Sequence, residues 1–160
     1  MRRILPLAFA LLLALPAAAQ DEVADMQERE GWRVIRTDMS YEDLLARMEE
    51  AIAANRMGLV TNAGPTGVAR NRGVDIPGNR VLGVFNNVIA VRTLRISTAA
   101  MIEAPIRFYV TENQDGTATL SWKEPSTVFA PYIEEAGREL GEIAAELDQK
   151  FEAIAEDATQ

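Results

Sequence analysis

The chain is 160 residues long, carries 24 acidic against 16 basic residues for a formal net charge of -8, and contains neither histidine nor cysteine. Ser-His-Asp relays, Cys-His pairs, disulfide exchange and the usual ligand sets of structural zinc, blue copper, haem and iron-sulfur sites are therefore excluded. The acidic balance also makes nucleic acid and anionic lipid disfavoured partners.

At the N-terminus, Met1-Arg2-Arg3 supplies a positive start, Ile4 to Pro16 an apolar run, and Ala17-Ala18-Ala19 a small-residue exit. That order reads as a signal peptide over residues 1–19, cleaved after Ala19, and implies a periplasmic or secreted protein. The apolar run is shorter than the roughly 20 residues a membrane-spanning helix needs, so no stable membrane span is expected after cleavage. Loss of Arg2 and Arg3 takes the formal charge from -8 to -10. The roughly 140 residues that remain can form one domain, which without cysteine must rest on packing alone.

Residues 20–30 are acid-rich with little that could enter a core, and are read as a flexible leader. The domain is placed at 31–157. Trp32 to Thr37 reads as a first strand. Ser40-Tyr41-Glu42-Asp43 resembles a capping box, and Leu44, Leu45, Met48 and Ile52 follow at helical spacing up to about Asn55. Met57 to Ala63 reads as a second strand, closed by the turn-rich run Asn62 to Gly67. Val68 to Arg72 is one helical turn or plain loop. Arg80 to Phe85 is a third strand. In Val88 to Ser97 the β-branched residues argue for strand, while the Asn86-Asn87 cap and the spacing of Val91, Leu94 and Thr98 argue for helix; we assign helix.

Beyond Pro105 the pattern sharpens. Ile106, Phe108 and Val110 alternate with Arg107, Tyr109 and Thr111, and Ala118, Leu120 and Trp122 with Thr117, Thr119, Ser121 and Lys123. Asn113-Gln114-Asp115-Gly116 joins them as a hairpin turn. Finally Ile133, Ala136, Leu140, Ile143, Ala144, Leu147, Phe151 and Ile154 keep one apolar stripe for about six turns of helix. Gly137 and Gly141 lie within it and cost helix propensity, which suggests close approach of a neighbour there.

With these elements placed, the chain from about Gly31 to Phe151 resembles the bacterial domain-of-unknown-function 302 family, DUF302. The resemblance rests on the strand and helix entering through Ser40 to Ile52, on Arg80-Val81-Leu82-Gly83-Val84-Phe85-Asn86-Asn87 with Ala90 following, on Ala104-Pro105-Ile106-Arg107-Phe108-Tyr109-Val110, and on Asp115-Gly116-Thr117. It implies a compact α+β domain of strand, helix, four further strands and a terminal helix, with one inserted helix. The sheet should be mainly antiparallel, with the long C-terminal helix packed on one face. It further implies a homodimer, and it lends no function. Many relatives carry cysteines where this chain has Phe85 and Ile106, which puts any thiol-dependent role in doubt here and makes the pair read as core.

Among candidate sites, the acids of the terminal helix read as a solvated face, since no calcium-loop pattern occurs. Asn86 and Asn87 either cap the inserted helix or contact a ligand. Arg92, Arg95 and Arg107 could hold an anion beside them, or pair with the acidic remainder. Trp32, Tyr109 and Trp122 line a cavity or fill the core. The expectation is a small-ligand binding module with a cleft between sheet and inserted helix, lined by Asn86, Asn87, Arg92, Tyr109 and Trp122. No catalysis, cofactor or metal is expected. The alternative is a structural or interaction protein of the cell envelope, acting through self-association or a protein partner.

Overall fold

The structure is a computed structural model that describes residues 23–160; the signal peptide read at 1–19 lies outside them. Five strands form one antiparallel sheet: β1 (Trp32–Ser40), β2 (Gly58–Ala63), β3 (Asn79–Phe85), β4 (Ile106–Glu112) and β5 (Thr117–Lys123). Their order is β1-β5-β4-β3-β2, so the alternating pair β4 and β5 sits at the centre and β1 and β2 at the edges. The helices are α1 (Tyr41–Ala54), α2 (Thr66–Asn71), α3 (Asn87–Ile96), α4 (Pro125–Phe129), α5 (Ile133–Ala136) and α6 (Arg138–Thr159). The α+β class, the antiparallel sheet, the inserted helix and the long terminal helix all stand as the sequence implies.

Local chemistry starts these elements where the pattern places them. Ser40 Oγ accepts the Asp43 N–H at 3.1 Å and donates to the Asp43 carboxylate at 2.8 Å, closing the first turn of α1. Behind it Leu44, Met48, Ala51 and Ile52 are buried. The ambiguous segment after β3 is helical because Asn86 Oδ1 accepts the N–H groups of Val88 and Ile89, and because Ile89 and Thr93, one turn apart, face the interior. At the hairpin, Gly116 takes φ +81, which a residue with a Cβ adopts at a cost.

Two features of the C-terminal third depart from the sequence reading. The apolar stripe from Ile133 to Ile154 is not one helix, because Gly137 takes φ +78 and ends α5 before α6 begins. Nor do Gly137 and Gly141 mark a close neighbour: a Cβ at Gly137 would meet nothing within 4 Å, and at Gly141 only Ile133 Cδ1 at 3.7 Å. The short helix α4 escapes the pattern, since a five-residue helix shows no periodicity; Pro125 opens it, and Pro125 and Phe129 are buried.

The core lies between one face of the sheet and the helices. Leu82, Phe108, Val110, Leu120 and Trp122 meet Leu44, Met48, Leu140, Ile143, Leu147 and Phe151, all fully or almost fully buried. Leu140→Ala is expected to cost about 2 to 5 kcal/mol through the cavity it leaves. Glu142, exposed on the opposite side of α6, should stay within about 0.5 kcal/mol when changed to alanine. Urea midpoints compare the two, and equal effects would mean that the buried stripe is assigned to the wrong side of α6. No helix among the described residues is long and apolar enough to cross a membrane.

Candidate functional site

The five residues expected to line a cleft beneath the inserted helix are not brought together. Asn86 is committed to structure: its Oδ1 caps α3 and its Nδ2 donates to the Arg56 carbonyl at 3.1 Å. Asn87 is the exposed first residue of α3. Arg92 reaches Glu146 on α6 at 2.7 Å. Trp122 is 1 % exposed and meets Phe108 edge-on at 5.4 Å, on the helix-facing side of the sheet. Tyr109 projects from the other face.

Space decides the matter. The crevice beneath α3, walled by Met57, Val84, Ile89, Thr93 and Ile106, holds about 30 Å³, room for a water or two. Ligand pockets run to roughly 300–1,000 Å³. The cleft between sheet and inserted helix is thus filled by Ile89 and Thr93 of α3 together with Met57, Ile106, Phe129, Leu147 and Phe151 around them, and Asn86 acts as a cap. Asn86→Ala should cost about 0.5 to 2 kcal/mol in thermal or denaturant unfolding; a stability unchanged within error would contradict the cap.

The open face of the sheet offers more room. Phe108 and Trp122 pair across β4 and β5 on the core side, so the next pair, Tyr109 and Ser121, points the other way. By the same alternation Trp32 lies beside Lys123, Val81 beside Tyr109, and Gly83 beside Arg107. Trp32, Val81, Arg107, Tyr109 and Lys123 line a hollow of about 380 Å³ on this face, with Glu103 and Val128 on its wall. A second hollow of about 430 Å³ lies between the sheet and residues 23–29, and the two share Asn79 and Tyr109.

The acidic leader therefore forms a wall of this surface. Asp25 ties it to the hairpin, accepting the Gln114 N–H at 2.9 Å and pairing with Arg36 at 3.2 Å. Arg36 also reaches Asp115 at 3.2 Å. Hydrogen bonds from Thr117, and secondarily from Arg36, hold the Asp115 carboxyl below its usual range.

Cations collect beside the first hollow. The Lys123 ammonium lies 5.7 Å and the Arg29 guanidinium 5.4 Å from the centre of the Trp32 ring. Arg107 is exposed at the hollow's wall. Among the described residues none of these three forms an ion pair, which is also true of Arg47, Arg56, Arg70, Arg72, Arg80, Arg95 and Lys150. The one acid on the wall, Glu103, accepts the Tyr132 hydroxyl at 2.6 Å, and that bond together with burial raises the Tyr132 phenol above its ordinary value. Burial, with a smaller contribution from Tyr41, does the same for Tyr109. Both phenols therefore stay protonated through the neutral range and can donate.

Three expectations from sequence are thereby sorted. Arg107 does project from the non-apolar face, but away from Arg92 and α3, so they form no common anion site. Trp32 and Tyr109 line open space, while the Trp122 ring fills the core. The sequence reading missed Arg29, Asn79, Val81 and Lys123. The alternation of β4 and β5 could have supplied Lys123 beside Arg107; nothing in the leader's composition indicated that it lies against the sheet.

Comparison with known proteins agrees with this architecture. A family model described as "Domain of unknown function DUF302" matches residues 33–158. The chain belongs to the DUF302 family. A solved structure of that family, titled "Crystal structure of uncharacterized conserved protein DUF302 from Bacillus stearothermophilus", is 19% identical, with a TM-score of 0.71, covering 81% of this chain and 99% of its own. At that identity the likeness shows the fold alone. No curated protein matches the chain. In this DUF302 domain Ile106 is buried in the core, as its reading as core requires, whereas Phe85 is half-buried at the end of β3 and lies outside the core cluster.

Proposed function

We propose that this protein is a small-molecule binding module of the exported type, working through the open face of its sheet and carrying out no chemistry on what it holds. The observation that supports this most is the gathering of Arg29, Arg107 and Lys123 around Trp32 and Tyr109 in a chain of formal net charge -8, beside hollows of about 380 and 430 Å³. Arg29 and Lys123 already lie against the Trp32 ring, and with Arg107 they leave donors that a bound partner would use. The export setting follows from the order of charge, apolar run and small-residue exit over residues 1–19.

The test is native mass spectrometry of the protein recovered from its producing cell envelope, beside Tyr109→Ala and Arg92→Ala. A non-covalent adduct retained by the parent chain and by Arg92→Ala, yet lost in Tyr109→Ala, is the expected result. An adduct lost in Arg92→Ala and kept in Tyr109→Ala would move the site back to α3. The same spectra report whether residues 1–19 have been removed.

A second reading, assembly as a homodimer or with an envelope protein, is favoured by one surface. Val88 (71 % exposed), Val91 and Leu94 run along the outer side of α3, and Ile102 (78 % exposed) sits on the 3-10 turn Ala100–Glu103 that packs against it. Exposed apolar groups of this kind commonly mark contact surfaces. Sedimentation of the parent and of a Val88→Ser, Val91→Ser variant tests it, with a shift from dimer to monomer expected.

A further inference from the structure

The two sides of the open-face hollow differ in chemistry. Its floor is apolar and aromatic, made by Val81, the Tyr109 ring and the Trp32 ring. Its wall carries Arg107, and Lys123 stands beside Trp32, directly opposite it in the β1–β5 register. Tyr109 and Asn79 stand where this hollow meets the one beneath the leader, adding a phenol and a carboxamide. We infer that the ligand of this face is an organic anion with a flat apolar body, a carboxylate or sulfonate whose charged end meets Arg107 and Lys123 while its ring or chain lies on Val81, Tyr109 and Trp32. This rests on the reading of the open face as a binding surface.

Each part of the surface selects one part of such a molecule. An inorganic anion would meet the cations and leave the apolar floor wet. A neutral hydrocarbon would cover the floor and leave the cations merely solvated, gaining nothing from them. A cationic ligand would be repelled by Arg107 and Lys123, and Glu103 offers little in return because its carboxylate already accepts the Tyr132 hydroxyl. The neutral Tyr109 phenol keeps its proton and so can donate to a carboxylate oxygen. The hollow of about 380 Å³ has room for a bicyclic ring. Its neighbour of about 430 Å³ is lined by Asp25, Glu28 and Glu112, which leaves the charged end of the ligand to the Arg107 and Lys123 side.

The experiment is a calorimetric titration of the protein, leader intact, with 2-naphthoate and separately with its neutral counterpart 2-naphthamide. The acid should bind about tenfold more tightly than the amide, the ratio that two partly exposed ion pairs supply. In the Arg107→Gln, Lys123→Gln double variant the two affinities should converge, with that of the amide unchanged; the thermal midpoint of the variant checks that it remains folded. Equal binding of acid and amide by the parent chain would overturn the anion assignment and leave the open-face site standing. A preference for the acid that survives in the double variant would overturn it as well, since the charge would then be read elsewhere. Failure of both probes to bind would overturn the binding surface together with its ligand class.

Discussion

Phe151→Ala should destabilise the domain by about 3 to 5 kcal/mol, the largest effect expected of any single truncation in α6. Phe151 is fully buried, and its ring stacks on Phe108 with centroids 4.4 Å apart and planes 21° from parallel. Phe108 in turn meets Trp122 edge-on at 5.4 Å. Removing the first ring therefore opens a cavity against a second and loosens the seat of a third. Close aromatic pairs add about 0.5 to 1.5 kcal/mol beyond the area they bury, which places the change towards the upper end of the range. Guanidinium unfolding followed by tryptophan emission gives the number. A cost below about 1 kcal/mol, the ordinary effect of a point mutation, would show that α6 does not carry the core in this register.

Gly64→Ala is expected to be comparably damaging for a different reason. A Cβ there would run into the carbonyl oxygen of Asn79, with the Asn79 carbonyl carbon at 3.2 Å and Arg80 Cα at 3.5 Å. These are backbone atoms at the start of β3 and cannot swing aside as a side chain would. The end of the β2–β3 ladder, where Ala63 pairs with Val81, would have to open. Overpacking commonly costs about 1 to 3 kcal/mol, and a clash with fixed backbone belongs at or beyond the top of that range. Gly67→Ala is the control, because a Cβ there meets nothing within 4 Å and alanine suits a position in the first turn of α2. It should stabilise by up to about 1 kcal/mol. Equal melting temperatures for the two variants would contradict the close approach at Gly64.

Most of the fold was legible because its central elements follow a clean period. The alternation across β4 and β5 placed Phe108, Val110, Leu120 and Trp122 on one face and Arg107, Tyr109 and Lys123 on the other. The heptad-like stripe of α6 placed Leu140, Ile143, Leu147 and Phe151. What escaped was what period cannot encode. Gly137 breaks the last helix through a backbone angle, and α4 is too short to repeat. The site was less legible still. Two adjacent asparagines read first as a cap and also as a ligand rim, and the three bonds made by Asn86 favour the cap. The hollow is built between residues far apart in sequence, from Arg29 and Trp32 to Tyr109 and Lys123, and is walled by a leader whose composition is that of solvated chain.

The open face as the place of binding is tested most directly by amide NMR of the 15N-labelled protein titrated with 2-naphthoate. Shifts should concentrate at Trp32, Asn79 to Val81, Arg107 to Tyr109 and Lys123, and spread into residues 23–29 across the shared wall, with Asn86, Asn87 and Arg92 unmoved. Shifts clustered on α3, or none on the open face at saturating probe, would contradict the account.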